Sequence, residues 1–155
     1  MAITLIGGIV GAVAGGVATS SVFFKKMDGV TDRHKKIVAY YHLFNQWLMI
    51  RQEGKTLAEY FERNHYKTVA IYGMKEFGER LYDELKDTDI TVKYIIDKNV
   101  DGVYADVDII TPDDEMPPID VIVVTATYFF DEIEGALGEK VDYPIVSLED
   151  ILYEV

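Results

Sequence analysis

The residues best suited to chemistry lie between positions 72 and 97. Gly73 and Gly78 stand five residues apart, directly after the apolar run 69–72, and Asp97 closes a second apolar run, 92–96. In a dinucleotide-binding fingerprint the first glycine makes a tight turn, the second lets a pyrophosphate approach the backbone, and the third packs helix against strand. Here those positions read Gly73, Lys75 and Gly78. The lysine at the middle position either fills the space a diphosphate would take or swings out and pairs with it. Asp97 follows Gly78 by nineteen residues, where an acid would hydrogen-bond a ribose; an acid there is also an ordinary strand terminator. Thr125 and Thr127 end the strand that begins at Val121, in the most apolar run, 121–125. Ligands of open α/β sheets sit outside the carboxyl ends of the strands, so both hydroxyls are candidates for the same rim. Thr127 has a second reading, as the cap of the next helix.

Other chemistry is sparse. His34, His42 and His65 all precede the glycine turn and read as surface or packing residues rather than general bases. Tyr82 with Lys86, and Tyr94 with Lys98, have the spacing of a short-chain dehydrogenase pair. The first pair falls on the helix after the glycine turn and the second straddles a strand end, so neither would stand beside a nicotinamide. No G-x-S-x-G, H-E-x-x-H or P-loop pattern occurs. Cysteine is absent, which excludes disulfides, thiol nucleophiles and Cys-based metal sites. Asp113, Asp114 and Glu115 lie among prolines and read as a solvated loop rather than a cation site. No catalytic residue and no metal ligand is assigned, which leaves open whether the chain is an enzyme and weighs against it for the chain by itself.

The elements that must position these residues follow from periodicity. Run 69–72, the glycine turn, Phe77, Leu81 and Leu85 at helical spacing, and run 92–96 form a strand–helix–strand unit. Asp101-Gly102 marks a turn, 107–110 a short strand, and 112–118 a loop with three prolines. Run 121–125 predicts a central strand buried on both faces. Phe129, Ile133 and Leu137 predict a helix, 145–146 a fifth strand, and 147–153 a closing helix capped by Ser147. Five strands alternating with helices predict an α/β fold, a doubly wound parallel five-stranded Rossmann-like sheet over residues 65–155.

Two helical segments precede it. Residues 31–52 carry Ile37, Tyr40, Tyr41, Phe44, Trp47 and Leu48 at three- and four-residue steps, an amphipathic aromatic stripe that would dock on the following domain or on another copy. Thr56 and Glu59 form a capping box for a short helix ending near Asn64. Residues 25–64 are thus a helical connecting segment. Residues 1–24 hold no charged side chain, long enough to span a bilayer, with Gly7, Gly11 and Gly15 aligned on one face as a helix-contact pattern. A signal peptide lacks its basic start here, a nucleotide loop lacks its G-x-G-x-x-G spacing, and a buried soluble helix remains as the competing reading. Lys25, Lys26, Arg33, Lys35 and Lys36 follow the span, which places the C-terminal side in the cytoplasm of a single-pass cell-membrane protein.

Charge is asymmetric within a net of -12. Residues 1–66 hold eight Lys/Arg against five Asp/Glu, and residues 67–155 hold seven against twenty-two. So acidic a domain repels phosphate backbones, which argues against nucleic acid as a partner, while the basic N-terminal part suits anionic lipid.

The stretch IYGMKEFGERLYDEL, followed by VKYIIDKN, resembles the Rossmann-type modules attached to bacterial cell-surface polysaccharide enzymes, including the N-terminal domains of sialic-acid and nucleotide-sugar acyltransferases. IITPDDEMPPIDVIVVTA and PIVSLEDIL are similar in kind to the second half of those modules, so the resemblance covers residues 67–155. It implies that Gly73, Gly78 and Asp97 face a nucleotide or nucleotide-sugar, with NAD(P) as the alternative cofactor. Lys75 departs from that pattern. The expectation is a membrane-anchored, homo-oligomeric nucleotide-binding module in cell-envelope polysaccharide metabolism; the rival is an oligomeric scaffold with a degenerate site.

Overall fold

The computed structural model describes the backbone from residue 6 and the side chains from residue 29 onward. The elements are α1 (Ile6–Gln52), α2 (Ala58–Arg63), β1 (Thr68–Tyr72), α3 (Glu76–Leu85), β2 (Thr91–Ile96), β3 (Asp108–Ile110), β4 (Val121–Val124), α4 (Phe130–Gly138), β5 (Ile145–Ser147) and α5 (Leu148–Glu154). Two compact units result, residues 1–41 and His42–Val155. The expected membrane span, with Gly7, Gly11 and Gly15, lies outside the residues whose side chains are described. Among the described residues no helix is long and apolar enough to cross a membrane.

All strand pairs are parallel, in the order β3-β2-β1-β4-β5. β1 is the central strand and β4 an interior one, and every residue of 121–124 is buried, as a continuous apolar run in a two-sided sheet requires. One irregularity matters for the core. The β1–β2 register shifts between Val69 and Ala70, so that Val69 pairs with Val92 but Ala70 with Tyr94. The extra residue, Lys93, is exposed, and the shift lets Val92 and Tyr94, two apart, serve opposite faces.

One face buries Ala70, Tyr72, Tyr94, Ile96, Ile122 and Val124 against Ile133 and Leu137 of α4. The crossover from β3 to β4, residues 111–120, is a loop without a helix, and it covers part of that face: Pro117 O accepts from the Tyr94 hydroxyl at 2.9 Å. The alternate residues Val69, Ile71, Ile95 and Val123, all fully buried, point the other way, towards α3 and α5 with Phe77, Leu81, Leu85, Leu148, Ile151 and Leu152.

The end of α1 belongs to this second unit. Leu43, Trp47 and Ile50 are buried, and Glu84 of α3 gathers three donors from the preceding segment: Trp47 Nε1 at 2.7 Å, the Leu57 N–H at 2.8 Å and Arg51 at 3.4 Å. The carbonyls at the end of α5 accept from Gln46, Lys55 and Arg63, satisfying groups a helix C-terminus leaves open. Glu59 accepts from the Thr56 N–H at 3.0 Å, one half of the expected capping box, and Ser147 caps α5 by accepting from the Glu149 N–H at 3.2 Å. Phe129 differs from expectation. It falls in a 3-10 turn before α4 and is exposed, while Ile133 and Leu137 supply the buried face.

Candidate ligand site at the glycine turn

Gly73 leaves the buried end of β1 with φ +90, a backbone region that strains any side-chain-bearing residue. Its N–H donates to Ile96 O at 2.8 Å, tying the turn to the end of β2. A Cβ at Gly78 would collide with the Gly73 carbonyl oxygen and lie 3.0 Å from its carbon. Gly78 therefore does what the third glycine of the fingerprint does, allowing the first turn of α3 to rest on the strand end.

Lys75 is exposed, in extended conformation at the N-cap of α3, and no side chain caps that helix. Among the described residues its ammonium has no ion pair. Glu76 and Glu79 occupy the first turn of α3, where they complement the helix dipole and weaken the positive potential beyond it.

Asp97 stands at the same rim, but its carboxylate already works on the protein. Oδ2 accepts from the Met74 N–H at 2.8 Å and Oδ1 from the Asn99 N–H at 2.9 Å. Each carboxylate oxygen has a second lone pair, so a ribose hydroxyl could still be accepted. Thr125 is buried, and its hydroxyl lies 2.6 Å from Gly73 O and 3.1 Å from Tyr72 O. With one proton to give, it braces the turn rather than facing solvent. Thr127 begins the 3-10 turn before α4, half-buried, and makes no side-chain cap.

Two neighbours escaped the sequence reading. The Tyr72 hydroxyl is held above its ordinary pKa by burial first, then by Asp97, Glu132 and Asp113, so it stays a neutral donor at an acidic rim. The Met74 N–H carries no sequence signal at all, because backbone donors are revealed only by the turn that aims them. His34, His42 and His65 all lie N-terminal to β1, and among the described residues no group of three acids or histidines could hold a metal.

An all-parallel α/β sheet in this order, with a glycine turn at the carboxyl end of the central strand, is consistent with a Rossmann-like module. Comparison with protein-family models, curated proteins and solved structures gave no match for this chain.

Proposed function

We propose that this chain is a Rossmann-like module that binds a nucleotide or nucleotide-sugar at the glycine turn. Residues 1–24 anchor it to the cell membrane with the sheet domain in the cytoplasm, and cell-envelope polysaccharide metabolism is the setting its resemblance suggests. The observation that carries the binding reading is the uncapped N-terminus of α3 beside an exposed lysine. Free helix N–H groups and an ammonium are what a diphosphate needs. Among dinucleotides Asp97 favours NAD, since it would repel the 2′-phosphate of NADP. NAD also suits the acidic rim better than a nucleotide-sugar, because its nicotinamide ring is cationic when oxidised.

A second reading, the non-catalytic scaffold, is favoured by one fact: Asp97 and Thr125 both direct their polar atoms onto the turn itself. Calorimetric titration of the full chain in detergent with NAD and a UDP-sugar separates the two. Binding by wild type that weakens roughly thirtyfold in Lys75→Glu, an effect of about 2 kcal/mol for a lost charge-assisted contact, supports the ligand site. Absence of binding in wild type, Lys75→Glu and Lys75→Gly alike leaves the scaffold.

A further inference from the structure

Among its described residues helix α1 carries two apolar stripes, of which one is buried in the sheet unit. Leu43, Trp47 and Ile50 are buried against the sheet unit. The other stripe is Val30, His34, Ile37, Tyr41, Phe44 and Leu48, spaced four, three, four, three and four. That alternation is the 3.5-residue repeat of a coiled-coil seam rather than the 3.6-residue drift of a helix lying on a globular core. Its large apolar members are exposed: Val30 by 63%, Ile37 by 60%, Tyr41 by 66%, Phe44 by 40% and Leu48 by 56%. Phe44 is the least exposed because one face of its ring stacks on Phe77 at 4.2 Å. In the sequence the same spacing reaches back to Met27 and Phe23.

We infer that this stripe is the seam of a parallel, two-stranded coiled coil between two copies of this chain. The 3.5-residue repeat carries the choice of occupant, since it fits a second helix of the same kind, and the stripe supplies the larger part of the area such a pair needs. At these exposures the stripe offers roughly 500 Å² of apolar side chain, against about 800 Å² per partner in a standard stable interface. Flanking Val38, also exposed, and the aliphatic stems of neighbouring lysines add to it. Charge decides the orientation. An antiparallel pair matching 30 with 48 would set Met27 against Arg51, whereas the parallel pair meets each apolar residue with its own copy.

The absence of cysteine makes the test direct. Single variants Ile37→Cys and Tyr41→Cys on the seam, and Lys35→Cys and Ala39→Cys off it, are oxidised mildly as full chains in detergent. Disulfide-linked dimer at 37 and 41 at least tenfold faster than at 35 and 39 is the expected result, because only seam positions face their own copy. Equal rates at all four positions overturn the inference even if the chain remains oligomeric through residues 1–24. A wild type that sediments as a monomer at tens of micromolar also overturns it. Adding Ile37→Asp to the Tyr41→Cys variant gives a second reading: cross-linking at position 41 falls while the near-UV signal of Trp47 stays unchanged.

Discussion

Replacing Gly78 by alanine tests the glycine turn most sharply, because two well-measured effects oppose each other there. In an exposed helix the change stabilises by about 1 kcal/mol through backbone entropy. Here the new methyl would overlap the Gly73 carbonyl oxygen and touch Met74 Sδ at 3.4 Å. The carbonyl cannot withdraw freely, since it accepts from Thr125 at 2.6 Å while the Gly73 N–H holds Ile96 O at 2.8 Å. Overpacking of a close-packed site costs about 1–3 kcal/mol, and loosening the two hydrogen bonds adds about 1 kcal/mol each. The expected net loss is about 2–4 kcal/mol, a large part of a marginal stability of about 5–15 kcal/mol. Urea unfolding followed by the single tryptophan, Trp47, which is buried and bonded to Glu84, reports it as a fall in midpoint. Gly135→Ala in α4 is the control, as its methyl would meet nothing within 4 Å and should raise the midpoint. A Gly78→Ala protein as stable as wild type, or more so, would refute the packing role.

Other outcomes follow from the same contacts. Residues 55–155 alone should be molten, because removing Leu43, Trp47 and Ile50 forfeits about 1.5–3 kcal/mol each; a piece beginning at Gly29 should give a cooperative transition. Asp97→Ala should destabilise by about 1–2 kcal/mol, since the Met74 and Asn99 N–H groups lose their acceptor; unchanged urea stability would contradict this. Asp120 accepts from the Lys67 and Thr68 N–H groups and the Thr68 hydroxyl, and these bonds lower its pKa below 3.8. Its contribution to stability is therefore present above that value and lost as pH falls through the lower folded value. Asp120→Ala should flatten that acid limb of the stability–pH curve, and an unaltered limb would show the pin to be without effect.

The fold was legible where one physical signal dominated. Runs such as 121–124 can only be strands buried on both faces, and Phe77, Leu81 and Leu85 at helical steps return as the buried side of α3. Phe129 misled because an aromatic at helical spacing is a signal only inside the helix, and here a 3-10 turn precedes it. The aromatic segment near Trp47 was legible as a stripe but not as two stripes, since one sequence pattern served both a 3.6-residue packing face and a 3.5-residue exposed one. The Lys93 bulge has no composition cue. Within the site, the types Gly, Gly and Asp could be read, but not the direction of their hydrogen bonds. Whether Asp97 faces a ribose or the Met74 N–H depends on an aim that spacing does not encode.

That ambiguity determines which substitution carries information about function. Asp97, Gly73, Gly78 and Thr125 each hold the turn together, so loss of ligand in their variants would follow from a collapsed turn as readily as from a lost contact. Lys75 differs in kind. It is exposed, sits outside the core, and begins a helix whose first carbonyl bond, from the Glu79 N–H to Lys75 O at 2.9 Å, is made by backbone alone. Changing its side chain leaves every bond of the turn in place while altering the charge an incoming phosphate would meet. An effect at Lys75 without any change in the urea midpoint is therefore a property of binding, and the electrostatics set its sign. With Glu76 and Glu79 already at the helix start, Lys75→Glu removes a cation from an acidic rim and adds to its repulsion of anions, so added salt, which screens that repulsion, should recover part of the affinity lost by the variant.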